Sequence, residues 1–317
     1  MVRAVTKRIL GVRRGFRTHP GAGLSARMMQ PVPTADEIVR AAERRLKASD
    51  AIEHPHAGKE RYDAEQLLAF VLGHEADERE EVSSRAHRRF ERLLDRRAGG
   101  EPVPYITGYT DFAGLRLGVG RGSFIPRESS EFVVEQATRR LRRRREPVHV
   151  DIATGVGTIA LAVASAVPHA AVFGLDLHAA PLSWARRNAR CLGLRNARFL
   201  RGDLFAPLSL RLRGGVDTIS LHPPYVGRRE LRELPEEVRR FEPEESLTDR
   251  SPKGLGLLGR VARESPDWLR PGGWLLIEVS PDRSRDVSAL MRRAGLGDVR
   301  STKGGVEVSR VVVGRAR

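Results

Sequence analysis

The chain is poor in cysteine, lysine and aromatic residues and has no long apolar run, and each scarcity closes off a class of protein. A single cysteine, Cys191, among 317 residues excludes an internal disulfide and a cysteine-built metal cluster, and points to a reducing, cytoplasmic setting. No stretch approaches the roughly 18 consecutive apolar residues that a membrane-spanning helix needs, so no membrane partner is expected. Aromatic residues make up only 5%, and Trp184, Trp268 and Trp274 fall in apolar helix or strand patterns, as core-filling residues do. Lysine supplies five of the 56 basic residues (Lys7, Lys47, Lys59, Lys253 and Lys303), and against 40 acidic residues the net charge is +16. Such an excess favours acidic partners, nucleic acid among them. An almost all-arginine excess also follows from GC-rich coding. The densest run, Arg139 to Arg145, ends a helical pattern, where cations suit the negative pole of the helix dipole.

Hydrophobic residues at 40% supply a sizeable core, and the length suggests two domains. Residues 1–31 contain Arg3, Lys7, Arg8, Arg13, Arg14, Arg17 and Arg27 with no acid and no apolar period, the pattern of a basic, unstructured extension; Met28 and Met29 offer a later translational start. Residues 32–102 read as a small helical domain. Thr34 and Glu37 have capping-box spacing, and Ile38, Ala41, Ala42 and Leu46 then share a face. A second helix is predicted from about Asp63, with Leu67, Leu68, Val71 and Leu72 inward and Gly73 as its stop; a third carries Val82, Ala86, Phe90, Leu93 and Leu94 up to Gly99 and Gly100. From 103 to 126, Tyr105, Ile106, Phe112, Leu115, Leu117 and Val119 alternate with glycines, as in a β-hairpin linker. From 127 to 317, strand-like runs at 148–153, 171–175, 198–201, 216–221 and 274–279 alternate with helical patterns. That alternation predicts an α/β domain with a mostly parallel sheet covered on both faces.

The chemistry concentrates at four strand ends. Asp151-Ile152-Ala153-Thr154-Gly155-Val156-Gly157-Thr158-Ile159-Ala160 turns the first strand of this region into a helix, and its glycines let backbone pass close under a ligand. Gly155, Gly157 and Ala160 also satisfy a dinucleotide pattern, and Asp176, placed to accept from ribose hydroxyls, is common to both nucleoside classes. Two later signals separate them. Asp203 and Leu204 follow the third strand, one able to accept from an adenine amine and the other to pack on the ring. His222-Pro223-Pro224-Tyr225 follows the fourth: a rigid turn holding a polar side chain, a free carbonyl and an aromatic face together, for which a dehydrogenase has no use.

With these residues in place the chain resembles the class I S-adenosylmethionine-dependent methyltransferases, and among them the HemK-type release-factor glutamine methyltransferases. Beyond the four strand ends, the likeness rests on Arg96-Arg97-Ala98-Gly99-Gly100-Glu101-Pro102-Val103-Pro104-Tyr105-Ile106-Thr107-Gly108, on Phe112, Gly114 and Leu115, and on Phe124-Ile125-Pro126-Arg127 with Glu131. Phe241-Glu242-Pro243 and Leu247 extend it, so that it covers most of residues 33–317. The resemblance implies a Rossmann-like seven-stranded sheet whose last pair is antiparallel, with Val311 to Gly314 as final strand. It also implies a helical N-terminal domain that grips the substrate, S-adenosylmethionine as cofactor, and a peptide chain release factor as partner. Ala153, Thr154, Gly155, Val156, Gly157, Asp176, Asp203, Leu204 and His222 are then the cofactor-binding candidates. His222, Pro223, Pro224 and Tyr225 would hold the substrate amide, with His222, Pro223 and Tyr225 catalytic.

The family turn is Asn-Pro-Pro-Tyr, whose asparagine oxygen and first proline carbonyl accept the two N–H bonds of the substrate amide; here His222 stands in the asparagine position. A neutral imidazole keeps one acceptor nitrogen, and Nδ1 has about the reach of an asparagine oxygen, whereas a protonated ring only donates. Turnover is therefore expected to fall on the acid side with a histidine-like pKa. His222 as a general base would instead suit a hydroxyl or amine on a small molecule or modified peptide. The altered stretch Thr248-Asp249-Arg250-Ser251-Pro252-Lys253-Gly254-Leu255 points the same way. Methylation of a nucleic-acid base and a cofactor-binding scaffold without turnover are further alternatives. No metal is expected: His54 and His56 have no third ligand in reach.

Overall fold

A computed structural model of the chain describes residues 32–54, 57–304 and 309–317. The expected basic extension 1–31 and His56 lie outside the described residues. Helix α1 (Ala35–Lys47) opens with the expected capping box: the Glu37 N–H donates to Thr34 Oγ1 at 3.3 Å and the Thr34 N–H to a Glu37 carboxylate oxygen at 2.9 Å. Its buried stripe is Ala35, Ile38, Val39, Ala42 and Leu46, which turns Ala41 to solvent, contrary to expectation, because a 3.6-residue period through Ala35 and Val39 leaves position 41 outside. Helix α2 (Lys59–Leu72) begins before Asp63, launched by Gly58 in the left-handed region at φ +92°, and stops at left-handed Gly73. Helix α3 (Ser84–Ala98) is capped by the Ser83 hydroxyl. Leu46, Leu67, Leu68, Phe90 and Leu94 form the shared core of the three helices.

Residues Val103–Thr107 form a short helix, α4, and not the start of the hairpin; Pro104 in its first turn sets φ without losing a needed donor. The hairpin is therefore confined to β1 (Tyr109–Phe112) and β2 (Leu115–Gly118). Beyond it come α5 (Glu131–Leu141), β3 (Val148–Ile152), α6 (Thr158–Ala166), β4 (Ala171–Asp176), α7 (Ala179–Cys191), β5 (Ala197–Arg201) and β6 (Val216–Leu221). Then follow α8 (Glu236–Phe241), α9 (Glu244–Leu247), α10 (Gly256–Trp268), β7 (Leu269–Val279), α11 (Ser284–Arg293), β8 (Gly297–Lys303) and β9 (Arg310–Arg315). The sheet has seven strands in the order β5-β4-β3-β6-β7-β9-β8; β9 runs antiparallel to both of its neighbours and the other pairs are parallel. This is the sheet the resemblance implies, seven strands with an antiparallel last pair. One face is covered by α5, α6 and α7 through Val133, Ile159 and Leu182, the other by α10 and α11 through Leu258, Val261 and Val287.

The order in which strands are added reverses between β3 and β6, which are parallel, so the connections leave the sheet on opposite sides and open a crevice over the strands' carboxyl ends. Pro33–Arg317 behave as one unit. Arg97 of α3 is buried and donates to Asp63 of α2 at 2.7 Å and to Glu237 of α8 at 2.8 Å, tying the helical region to the crevice side of the sheet. Cys191 is exposed: the inward face of α7 is Leu182, Ala185, Asn188 and Ala189, and Cys191 ends the helix outside that stripe. Trp268 is buried and stacks on Phe205, whereas Trp274 is half-buried among Arg140, Arg300 and Arg315.

Candidate active site

The crevice is a cavity of about 920 Å³ into which the ends of β3, β4, β5 and β6 all open. Its floor is the glycine loop. Ala153 (φ +52°) and Gly155 (φ +60°) bend the chain through left-handed conformations, the Thr154 N–H is held by the Leu175 carbonyl at 3.0 Å, and the Thr154 hydroxyl donates to Asp151 at 2.7 Å. A side chain built on Gly155 would meet nothing, so bare backbone faces open space there. Gly157 differs: it does not line the cavity, and a Cβ on it would fall 2.8 Å from Leu161 and 3.2 Å from Phe199. The missing Cβ lets α6 start tightly against β5.

Asp176 ends β4 as expected. One carboxylate oxygen accepts from the Gly155 N–H at 3.0 Å and the other from the His178 N–H at 2.9 Å, so the group is aimed while each oxygen keeps a lone pair for a hydroxyl. Burial raises its pKa, opposed by those two N–H bonds. Ala153, Thr154, Val156, Asp203 and Leu204 also line the cavity. Asp203 is half-exposed and already paired with Arg260 of α10 through both oxygens, at 3.1 and 2.7 Å. An open backbone cradle, an aimed carboxylate and an apolar Leu204 fit the nucleoside part of S-adenosylmethionine.

His222, Pro223, Pro224 and Tyr225 line the same cavity. Tyr225 stacks nearly parallel to the imidazole at 6.1 Å between ring centres, and Phe124 meets it edge-on at 5.4 Å. Burial lowers the His222 pKa below the usual imidazole value, the negative charge of Glu278 opposes this, and Arg127 adds to it; burial pushes the Tyr225 phenol up to about 12. Both rings are neutral at physiological pH. The surroundings of His222 depart from expectation: Nδ1, expected to serve as the acceptor nitrogen, lies 3.0 Å from the Ser130 hydroxyl and 3.5 Å from Glu278. The reason is the buried Ser130–Glu278 pair beneath the ring, joined at 2.6 Å, which offers Nδ1 a polar partner in an otherwise apolar wall.

Two further groups fix the turn. Arg127 pairs with buried Glu242, which also takes the Ile125 N–H at 3.4 Å, joining the segment before α5 to the one after α8. The altered 248–255 stretch folds back on the turn: the Val226 N–H donates to the Leu247 carbonyl at 2.9 Å, Tyr225 bridges to Thr248, and Asp249 accepts from Ser251 and from the Leu257 N–H. Ser130 and Glu278 were not among the expected site residues. The available signal was Glu278, a lone acid in the apolar run Leu275-Leu276-Ile277-Glu278-Val279, which burial obliges to find a partner. His54 lies outside this site, bonded to Glu60 at 2.6 Å.

Residues 37–108 match the PrmC N-terminal domain family and residues 146–278 a methyltransferase domain family. The release factor glutamine methyltransferase of Bordetella pertussis is 37% identical over 243 residues, 77% of this chain and 87% of its own length. That of Moorella thermoacetica is 36% identical over 269 residues, 83% of this chain and 91% of its own. A methyltransferase structure from Pyrococcus furiosus aligns with a TM-score of 0.48 at 16% identity, over 64% of this chain and 89% of that one.

Proposed function

Because the chain belongs to the release factor glutamine methyltransferase family, we propose that it methylates the side-chain amide nitrogen of a glutamine in a peptide chain release factor, with S-adenosylmethionine as donor. The observation that carries this reading is that the glycine loop, Asp176 and the His222–Tyr225 turn open into one cavity. A small-molecule or nucleic-acid acceptor has no comparable support. Among the described residues no helix is long and apolar enough to cross a membrane.

Bound S-adenosylmethionine supplies a methyl carbon that a nucleophile attacks in line with its bond to sulfur. The residues of the chain decide whether an amide nitrogen can be that nucleophile. Its lone pair is delocalised into the carbonyl, so the site must hold the nitrogen in a near-attack pose. Asp176 and the Gly155 backbone hold the ribose, with Asp203 and Leu204 at the base. Pro223 and Pro224 have no N–H, so the turn offers the Pro223 carbonyl as acceptor with no donor of its own competing for it. That carbonyl and His222 accept the two amide hydrogens, and the flat face of Tyr225 supports the amide plane. The helical region 32–102 grips the release factor, anchored to α8 by Arg97.

The test is transfer of labelled methyl from the donor to purified release factor, followed by peptide mapping. The reading predicts a single modified glutamine. Donor-bound enzyme that labels no glutamine would overturn it.

A further inference from the structure

We propose that Ser130 and Glu278 are positioning residues that hold the His222 proton on Nδ1, leaving Nε2 to accept the substrate N–H and to take up the proton released on methylation. This rests on reading the cavity as a methyl-transfer site.

The Glu278 carboxylate can only accept, and the Ser130 hydroxyl, with its single hydrogen, donates to it at 2.6 Å. The Ser130 oxygen, 3.0 Å from His222 Nδ1, is then left only as an acceptor, so Nδ1 must carry a hydrogen. The other tautomer would set the Nδ1 lone pair against a hydroxyl whose hydrogen is committed, with a carboxylate oxygen 3.5 Å away. The three residues come from the turn before α5, the turn just after β6 and the carboxyl end of β7, so no local sequence accident brings them together. Glu278 and Ser130 are both about 1% exposed, and the remaining Glu278 oxygen has no partner among the described residues. A carboxylate placed inside a sheet for these two contacts alone is accounted for by what it does to His222.

The consequence goes beyond hydrogen bonding. An asparagine oxygen accepts a hydrogen bond but does not take a proton near neutral pH; an imidazole does both. As the nitrogen–carbon bond forms, the carbon–sulfur bond breaks with its electron pair going to sulfur. One amide N–H proton passes to Nε2, giving neutral N-methylamide, neutral thioether and an imidazolium whose charge faces Glu278 across Ser130. The charged or titratable groups around the ring are Glu278 on β7, Arg127 before α5 and Tyr225 on its own turn, and the Arg127 charge is countered by Glu242. Of these, Glu278 alone favours the protonated ring.

Nitrogen-15 NMR of protein labelled in histidine tests the lock without an acceptor, His222→Asn supplying the assignment. The wild type should show hydrogen on Nδ1 and a bare Nε2. Ser130→Ala and Glu278→Gln should each give a mixture of tautomers, and Ser130→Thr should restore the wild-type signal. In transfer assays Glu278→Gln should lower kcat at least tenfold and move the acid limb of the pH profile to lower pH, with donor affinity kept. Hydrogen on Nε2 in the wild type, or a tautomer and acid limb indifferent to both Ser130→Ala and Glu278→Gln, would overturn the proposal. If release factor is not a substrate, the NMR result still decides the lock, so the two readings fail separately.

Discussion

Gly254 is where the altered stretch after α9 presses hardest on the His222–Tyr225 turn. A Cβ there would lie 2.0 Å from the Tyr225 carbonyl oxygen and 2.5 Å from its carbon, whereas real Cβ atoms essentially never come within 3.0 Å of a neighbour. Gly254→Ala must therefore push the Tyr225 backbone back by roughly 1 Å, and displacement of that size can cost about 10²-fold in rate. At about 1.36 kcal/mol per tenfold, the transition state loses about 2.7 kcal/mol. Gly254 also has φ +65°, so some loss of stability comes from the left-handed backbone alone. Gly193→Ala isolates that part: its φ is +68° and a Cβ there meets nothing within 4 Å. Both variants should lose about 1–2 kcal/mol of stability from backbone strain. Only Gly254→Ala should lose about 100-fold in kcat, with donor affinity by calorimetry retained because the glycine loop is untouched. Wild-type kcat in Gly254→Ala would refute the claim that this segment positions the turn.

Three other perturbations probe separate parts of the structure. Arg97→Met strands Asp63 and Glu237 without their buried guanidinium; losing one side of a buried ion pair costs about 3–5 kcal/mol, so Tm should fall by on the order of 10 °C, and a fall of 2 °C or so would contradict the anchoring role. Asp176→Asn should weaken donor binding by about 10- to 100-fold, the worth of a hydrogen bond to a charged group, and an unchanged Kd would remove Asp176 from the site. Buried His149 is pushed down to about 3. The unfolded chain therefore takes up a proton near pH 6.5 that the fold refuses, and stability present above that pH declines on acidification by up to about 1.4 kcal/mol per unit. Asp151, pushed up to about 6 by burial, acts oppositely: its contribution is complete below its unfolded value, near 3.9, and is lost as pH rises through 6. Urea titrations should thus show His149→Gln gaining on wild type as pH drops from 6.5 to 4, and parallel curves would count against the assignment.

The α/β class, the strands around the cavity and the family were legible because buried strands in a doubly covered sheet are near-continuous apolar runs, and glycines and prolines mark their ends. Strand β8 was not: Gly-Asp-Val-Arg-Ser-Thr-Lys is an exposed edge held by pairing with β9, which leaves no apolar pattern to read. The helical turn at Val103–Thr107 was hidden because β-branched and aromatic residues suit a strand locally, while packing of Tyr105 and Ile106 decides the matter. At the site, Asp176 and the His222–Tyr225 turn fell where the motifs put them. The tight packing at Gly157 was not legible, since sequence spacing does not tell open space from a neighbouring Leu161. The direction of the His222 ring was beyond reach of any motif, because it is set by Ser130 and Glu278, 92 residues before it and 56 after. Burial lowers the His222 pKa, so an acid limb set by this ring should fall below the ordinary histidine range first expected.

The most direct test of the shared cavity is photo-crosslinking of labelled S-adenosylmethionine to the enzyme, with peptide mapping. Label on peptides carrying residues 151–158 and 222–226, abolished by excess unlabelled donor, is the predicted result. Label confined to another surface, such as the shallow groove beside Arg186 and Phe199, would contradict the account.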